Sequence, residues 1–275
     1  MDWQSGIGGD ALSGSGTEWF PGGTAVTRLR VYDWPAVDGV RGGSPHLHTV
    51  STEGYVVLGG SGTLQTLSGD GYAEYPLQPG TLLWFTPGTV HRLVSGTAER
   101  PGEDLDILVV MQNAGLPEAG DAVLTFPPDV LADALAYAEA AALGTPADLE
   151  AGPQEPAEAI VGHAARRRRD LAVEGYLKLR EQVIAEGPSA LDGLYQAAGA
   201  LVRERVAGWS ALWQERTLAQ TTRTEEQLTA LAAGVSDHLR GSGVYVGAGN
   251  PGAERFGMCG RLRTWDLASA ASRPR

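Results

Sequence analysis

The chain is poor in the residues that several common chemistries require. It has one cysteine, Cys259, so no internal disulfide can form. Lys178 is its only lysine, which leaves arginine as 20 of the 21 basic residues. No Gly-Lys-Ser/Thr phosphate loop is present, and Schiff-base chemistry could use Lys178 alone. No run of about 18 apolar residues occurs, so no membrane-spanning helix is expected. Positive charge is also scarce, and the net charge of −12 argues against nucleic acid as a partner. The local exception, Arg166–Arg169, lies in a helical pattern and reads mostly as a solvated helix face. The polar opening Met1-Asp-Trp-Gln-Ser-Gly lacks the basic and apolar regions of a secretory signal, and a cytoplasmic protein is expected.

What is present falls into two textures. Short strand-like segments recur at Ala25–Trp34, Thr49–Leu58, Gly62–Leu67, Gly71–Pro76, Thr81–Phe85, His91–Ser95 and Asp104–Gln112. Gly, Pro, Ser and Asp separate them, which predicts a sandwich or barrel. After Pro127-Pro128 the period becomes helical, over Asp129–Leu143, Ala157–Glu186, Ser189–Thr217 and Glu225–Arg240. Leu201, Val202, Val206, Trp209, Leu212 and Trp213 form a packing stripe in the third of these. The text from Val244 to Val246 and from Met258 to Arg263 is strand-like again, and a return of this tail to the β region is expected. The expected organisation is a loose segment over 1–24, a β domain over 25–127, and a helical region with its tail over 128–275. Gly144–Pro156 reads as a linker, and the glycine-rich stretch from Met1 to Gly16 as loose.

Of five histidines, His46, His48 and His91 fall in the β region. His46-Leu47-His48 has strand spacing, so both imidazoles share one face. Glu53 follows at the start of Thr52-Glu-Gly-Tyr-Val-Val-Leu, where a turn and an adjacent strand bring its carboxylate beside the two rings. His91 enters another strand after the turn Phe85-Thr-Pro-Gly-Thr-Val. Each residue alone has an ordinary structural explanation, but together they offer three imidazoles and a carboxylate. That donor set suits one divalent ion of Mn, Fe, Co, Ni, Cu or Zn and leaves one or two positions open.

The spacing resembles the two signature motifs of the cupin superfamily. Pro45-His-Leu-His48, Glu53 and Gly60 resemble the first motif, and Gly80 with Phe85-Thr-Pro-Gly-Thr-Val-His91 resembles the second. The resemblance covers roughly residues 25–113. It implies a double-stranded β-helix, or jelly-roll barrel, with the metal inside its mouth. Similarity to cupin-type sugar isomerases implies an enzyme acting on a small oxygen-rich, sugar-like substrate. A metal-dependent dioxygenase and a non-enzymatic carbohydrate sensor stay open as alternatives.

Strand parity supplies further candidates. Tyr55 points inward if Glu53 does, and could donate a proton or hold a substrate oxygen, with Glu53 itself as a second catalytic candidate. Arg28, Arg30 and Tyr32 share one face of an early strand and could bind an anionic or polyhydroxy substrate. Gln112 is a weaker candidate, Cys259 reads as a small buried residue, and a homodimer is plausible.

Overall fold

A computed structural model describes residues 19–96, 104–144, 157–250 and 254–272. The expected loose segment from Met1 to Gly16 and nearly all of the Gly144–Pro156 linker lie outside the described residues.

The strands are β1 (Ala25–Val31), β2 (His46–His48), β3 (Glu53–Gly59), β4 (Gly62–Ser68), β5 (Gly71–Leu77), β6 (Leu82–Phe85), β7 (Val90–Ser95), β8 (Asp106–Met111) and β9 (Ala122–Leu124). Near the end of the chain come β10 (Tyr245–Gly249), β11 (Arg255–Phe256) and β12 (Gly260–Ser272). They form two antiparallel sheets. One has seven strands in the order β10-β12-β1-β8-β3-β6, with β11 paired to β12; the other has five in the order β5-β4-β7-β2-β9. This is the mainly β architecture, followed by helices, that the sequence predicts. The tail strand β12 pairs with β1 from Thr27↔Thr264 to Val31↔Gly260.

Alternation places the cores. Leu29, Val31, Tyr55, Val57, Leu64, Phe85, Leu93, Ile107 and Val109 meet between the two sheets. Residues of opposite parity on the five-stranded sheet, Leu47, Leu67, Val90 and Val123, form a second core with the helices. Gly60 turns the chain from β3 into β4 at a φ of +73°, and a Cβ there would overlap the Asp104 carbonyl.

The helices are α1 (Pro128–Leu131), α2 (Ala134–Ala141), α3 (Ala157–Glu186), α4 (Asp192–Val202), α5 (Val206–Trp213) and α6 (Ala219–Ala232). The predicted helix over Asp129–Leu143 is broken at Asp133, whose side chain accepts the amides of Leu135 and Ala136 and starts α2 afresh. The one over Ser189–Thr217 is divided by 3-10 turns at Pro188–Leu191 and Arg203–Arg205 and a π turn at Gln214–Leu218. Gly234, at a φ of +74°, closes off α6 well before Arg240. Trp209 and Val202 of the packing stripe are buried in the outer core, whereas Val206 and Trp213 are exposed.

Along α3, Ala165, Arg169, Ala172, Tyr176 and Val183 recur on one buried stripe facing the five-stranded sheet. Arg168 and Arg169 are therefore buried, which corrects the expectation of a solvated arginine face. Arg169 donates to the carbonyls of Trp34 at 2.7 Å and Pro35 at 2.8 Å. Arg168 donates to the Gly257 carbonyl at 2.6 Å, and Arg166 lies over the Trp34 ring. The irregular stretch after β1 needs donors for its carbonyls, and guanidinium groups supply them. Among the described residues no helix is long and apolar enough to cross a membrane.

Candidate metal centre

His46 and His48 stand on the same face of β2, and His46 sits directly across from His91 of β7. Glu53 comes from the other sheet: it begins β3, opposite Phe85 and Met111. The carboxylate therefore reaches the rings across the sandwich, from the strand that follows the turn after β2. All four side chains are buried, and their ligand atoms lie within 4.8 Å of one another. Glu53 Oε2 is 3.2 Å from His48 Nε2 and 3.1 Å from His91 Nε2.

These separations fit a shared ion. Donors held about 2.1 Å from one metal stand roughly 3 to 4 Å apart. Glu53 Oε2 and His91 Nε2 are both buried without a hydrogen bond, a costly arrangement for polar atoms unless another group satisfies them. The outer nitrogens are all engaged. His46 Nδ1 donates to the Ser44 carbonyl at 2.9 Å, and His91 Nδ1 to the Thr89 carbonyl at 3.1 Å. His48 Nδ1 donates to Asp121 Oδ1 at 2.7 Å. Each ring thus keeps an Nε2 lone pair for a metal, the arrangement that orients ligating imidazoles.

The electrostatics agree with this set. Burial, reinforced by His91 and His48, pushes His46 well below the ordinary imidazole range, so it is neutral and able to ligate. Burial pushes His48 down, but its bond to Asp121 and the Glu53 carboxylate 3.2 Å from Nε2 outweigh that and raise it to about 10. Burial raises Glu53, yet the imidazoles of His91 and His48 beside it hold it well below the carboxylate range. An ion entering the site must displace the proton that His48 holds between Asp121 and Glu53.

Tyr55 lies inside as parity predicts. It is fully buried, its ring meets Phe85 edge-on at 5.4 Å, and its hydroxyl has no hydrogen-bond partner. Burial, then the charge of Glu53, drives it well above the usual phenol value, so it keeps its proton.

The other candidates are not brought to the cluster. Arg28 and Arg30 do share a face, but it is the outer one. Arg28 bonds Asp106 through two nitrogens and Arg30 bonds Glu254 at 2.6 Å, both in exposed positions. Tyr32 does not share that face, because β1 ends at Val31. It is buried, stacks on Trp34 at 4.1 Å and donates to the Gly257 carbonyl. Gln112 is exposed beyond the end of β8.

Two residues at the cluster were not found from spacing. Asp121 arrives through the β2–β9 pairing, far along the chain from His48. Cys259 is buried as expected, but it packs against the cluster, with Sγ 3.9 Å from His46 Nδ1. Burial and the Glu53 charge push its thiol up, so it stays protonated.

The cupin domain family profile matches residues 37–108, a segment that includes all four residues of the cluster. Among curated proteins, none matches the chain. Solved structures with local similarity include a cupin protein from Bacteroides fragilis, 19% identical over 34% of this chain and 65% of that one, at a TM-score of 0.24. A candidate sugar phosphate isomerase from Acidithiobacillus ferrooxidans is 30% identical over 25% of this chain and 40% of its own, at a TM-score of 0.21. The nucleoside dehydratase Pac13, represented among these structures by Streptomyces forms with uridine, is 18% identical over 32% of this chain and 58% of its own, at a TM-score of 0.23. This chain therefore spans less than two thirds of each of those structures.

Proposed function

We propose, for a chain that carries a cupin domain over residues 37–108, a metal-dependent enzyme of isomerase type acting on a small, oxygen-rich, sugar-like molecule. The observation that carries this reading is the convergence of His46, His48, Glu53 and His91, with Glu53 Oε2 and His91 Nε2 buried and unsatisfied. A divalent ion of Mn, Fe, Co, Ni, Cu or Zn held there supplies Lewis acidity toward a carbonyl and a neighbouring hydroxyl. The chain's own residues do the rest. His46 and His91 are fixed by main-chain carbonyls, so the donor set is rigid before substrate arrives. Tyr55, two positions from Glu53 on the same face, carries a proton at neutral pH and would donate it to a substrate oxygen. The side chains of His48 and Glu53 keep 8% of their surface while His91 keeps none, so the substrate approaches past the first two.

Sugar-type substrates offered to the metal-loaded chain in D2O test this. The expected result is deuterium uptake at the carbon next to the carbonyl, without oxygen consumption. Oxygen uptake with one substrate would replace this reading with a dioxygenase. Saturable binding without turnover would replace it with a sensor.

A homodimer is part of the same proposal. Leu82 and Trp84, 64% and 69% exposed, stand on the outer face of the edge strand β6, where a second copy would cover them. Sedimentation as a monomer at micromolar concentration would contradict it.

A further inference from the structure

We propose that Asp121 is the positioning residue that fixes the tautomer of His48 and thereby its grip on the ion; this rests on the metal-centre reading above. The side chain of Asp121 is fully buried just before β9, and both of its oxygens are committed. Oδ1 meets His48 Nδ1 at 2.7 Å, and Oδ2 accepts the Ser51 amide at 3.1 Å. The main-chain carbonyl of Asp121 takes the Thr49 amide at 2.9 Å and the Thr49 hydroxyl at 3.0 Å, which holds the residue against the turn after β2. A carboxylate can only accept, so Nδ1 must carry the hydrogen and Nε2 is left with its lone pair on the metal side.

His46 and His91 obtain the same tautomer from the carbonyls of Ser44 and Thr89. Asp121 is thus the one side chain among the three anchors, and the one that substitution can change.

Asparagine at this position keeps the shape and reverses the logic. Its amide has one acceptor oxygen, and the Ser51 N–H requires it. The NH2 then faces His48 Nδ1, which becomes the acceptor, and the hydrogen moves to Nε2, where it blocks the metal. Turning the amide over restores the His48 contact but sets NH2 against the Ser51 amide, donor against donor. Alanine imposes neither conflict, because water can meet both Nδ1 and the Ser51 N–H. Asp121→Asn should therefore hold metal less tightly than Asp121→Ala. A merely structural role predicts the opposite order, since asparagine preserves the packing.

The test uses the full-length chain and cobalt(II). Affinity is read by chelator competition at neutral pH, and the visible spectrum reports the ligand set. We expect Asp121→Asn to bind about 100-fold and Asp121→Ala about 10-fold more weakly than the wild type, within the usual range for a partner of a ligating histidine. The cobalt spectrum of Asp121→Asn should match that of His48→Ala, in which one imidazole is missing. Asp121→Asn binding as well as Asp121→Ala, or as well as the wild type, overturns the role of Asp121 and leaves the metal centre standing. A wild-type chain that binds no cobalt overturns the metal centre itself, and with it this inference.

Discussion

Arg92 stands beside the candidate ligand His91 on β7 but faces the other way, and it meets Asp38 through two bonds, Nη1 to Oδ2 at 2.7 Å and Nη2 to Oδ1 at 3.1 Å. The arginine side chain is 1% exposed, so Asp38 is what makes its charge tolerable in the outer core. Burial raises the Asp38 carboxyl, but the bond to Arg92 and its charge more than reverse this, and the folded-state pKa lies below the ordinary carboxylate value. A depressed carboxyl contributes stability that is present above the unfolded value of about 3.9 and is lost as pH falls through the folded one. Asp38→Asn should cost about 3–5 kcal/mol near neutral pH, the usual penalty for stranding a buried charge. It should also flatten the fall in stability below pH ~4. Urea unfolding of both proteins across that range checks this. An equal acid slope in both would show that the pair is not coupled to folding.

At Gly175 the helix α3 presses on the segment that follows β9. A Cβ there would overlap the Thr125 carbonyl oxygen and the Phe126 carbonyl carbon, and the contact is backbone on backbone. Alanine is the better helix former by about 1 kcal/mol. Forcing the helix away costs more, typically 1–3 kcal/mol for overpacking, and here it also strains the Thr125 Oγ1 bond to the Ala172 carbonyl at 2.9 Å. Gly175→Ala should therefore be net destabilising in denaturant titration. A stabilised variant would mean that the helix sits further out than described.

A chain ending at Phe126 should aggregate or lose its metal. It would bare Leu47, Leu67, Val90 and Val123, which the helices now cover in one continuous outer core. It would also remove β12 from β1 and Cys259 from the side of His46. Light scattering and metal content of the shortened protein decide this. A soluble, metal-loaded monomer as heat-stable as the full chain would make the helices an independent module.

Much of the fold was legible because it is written in periods. Strand parity put His46 with His48 and Glu53 with Tyr55, and helical period gave α3 the bounds Ala157–Glu186. Parity says which residues share a face, but not which way that face looks, so Arg28 and Arg30 could be paired and still be sent to the wrong side. The burial of Arg168 and Arg169 was hidden for a different reason. Their partners are main-chain carbonyls of two irregular segments, one after β1 and one between β11 and β12, and such acceptors leave no mark in side-chain text. Asp121 was equally silent, because strand pairing, not spacing, brings it to His48.

His46, His48, Glu53 and His91 are proposed to hold one divalent ion. Metal analysis of the full-length protein, purified without an affinity tag, tests it most directly when set beside His91→Ala. The expected result is about one equivalent of transition metal per chain, as a single four-ligand site implies, with a sharp loss in the variant because three ligands hold an ion less tightly than four. Equal metal content in the wild type and His91→Ala, or none in either, would contradict it.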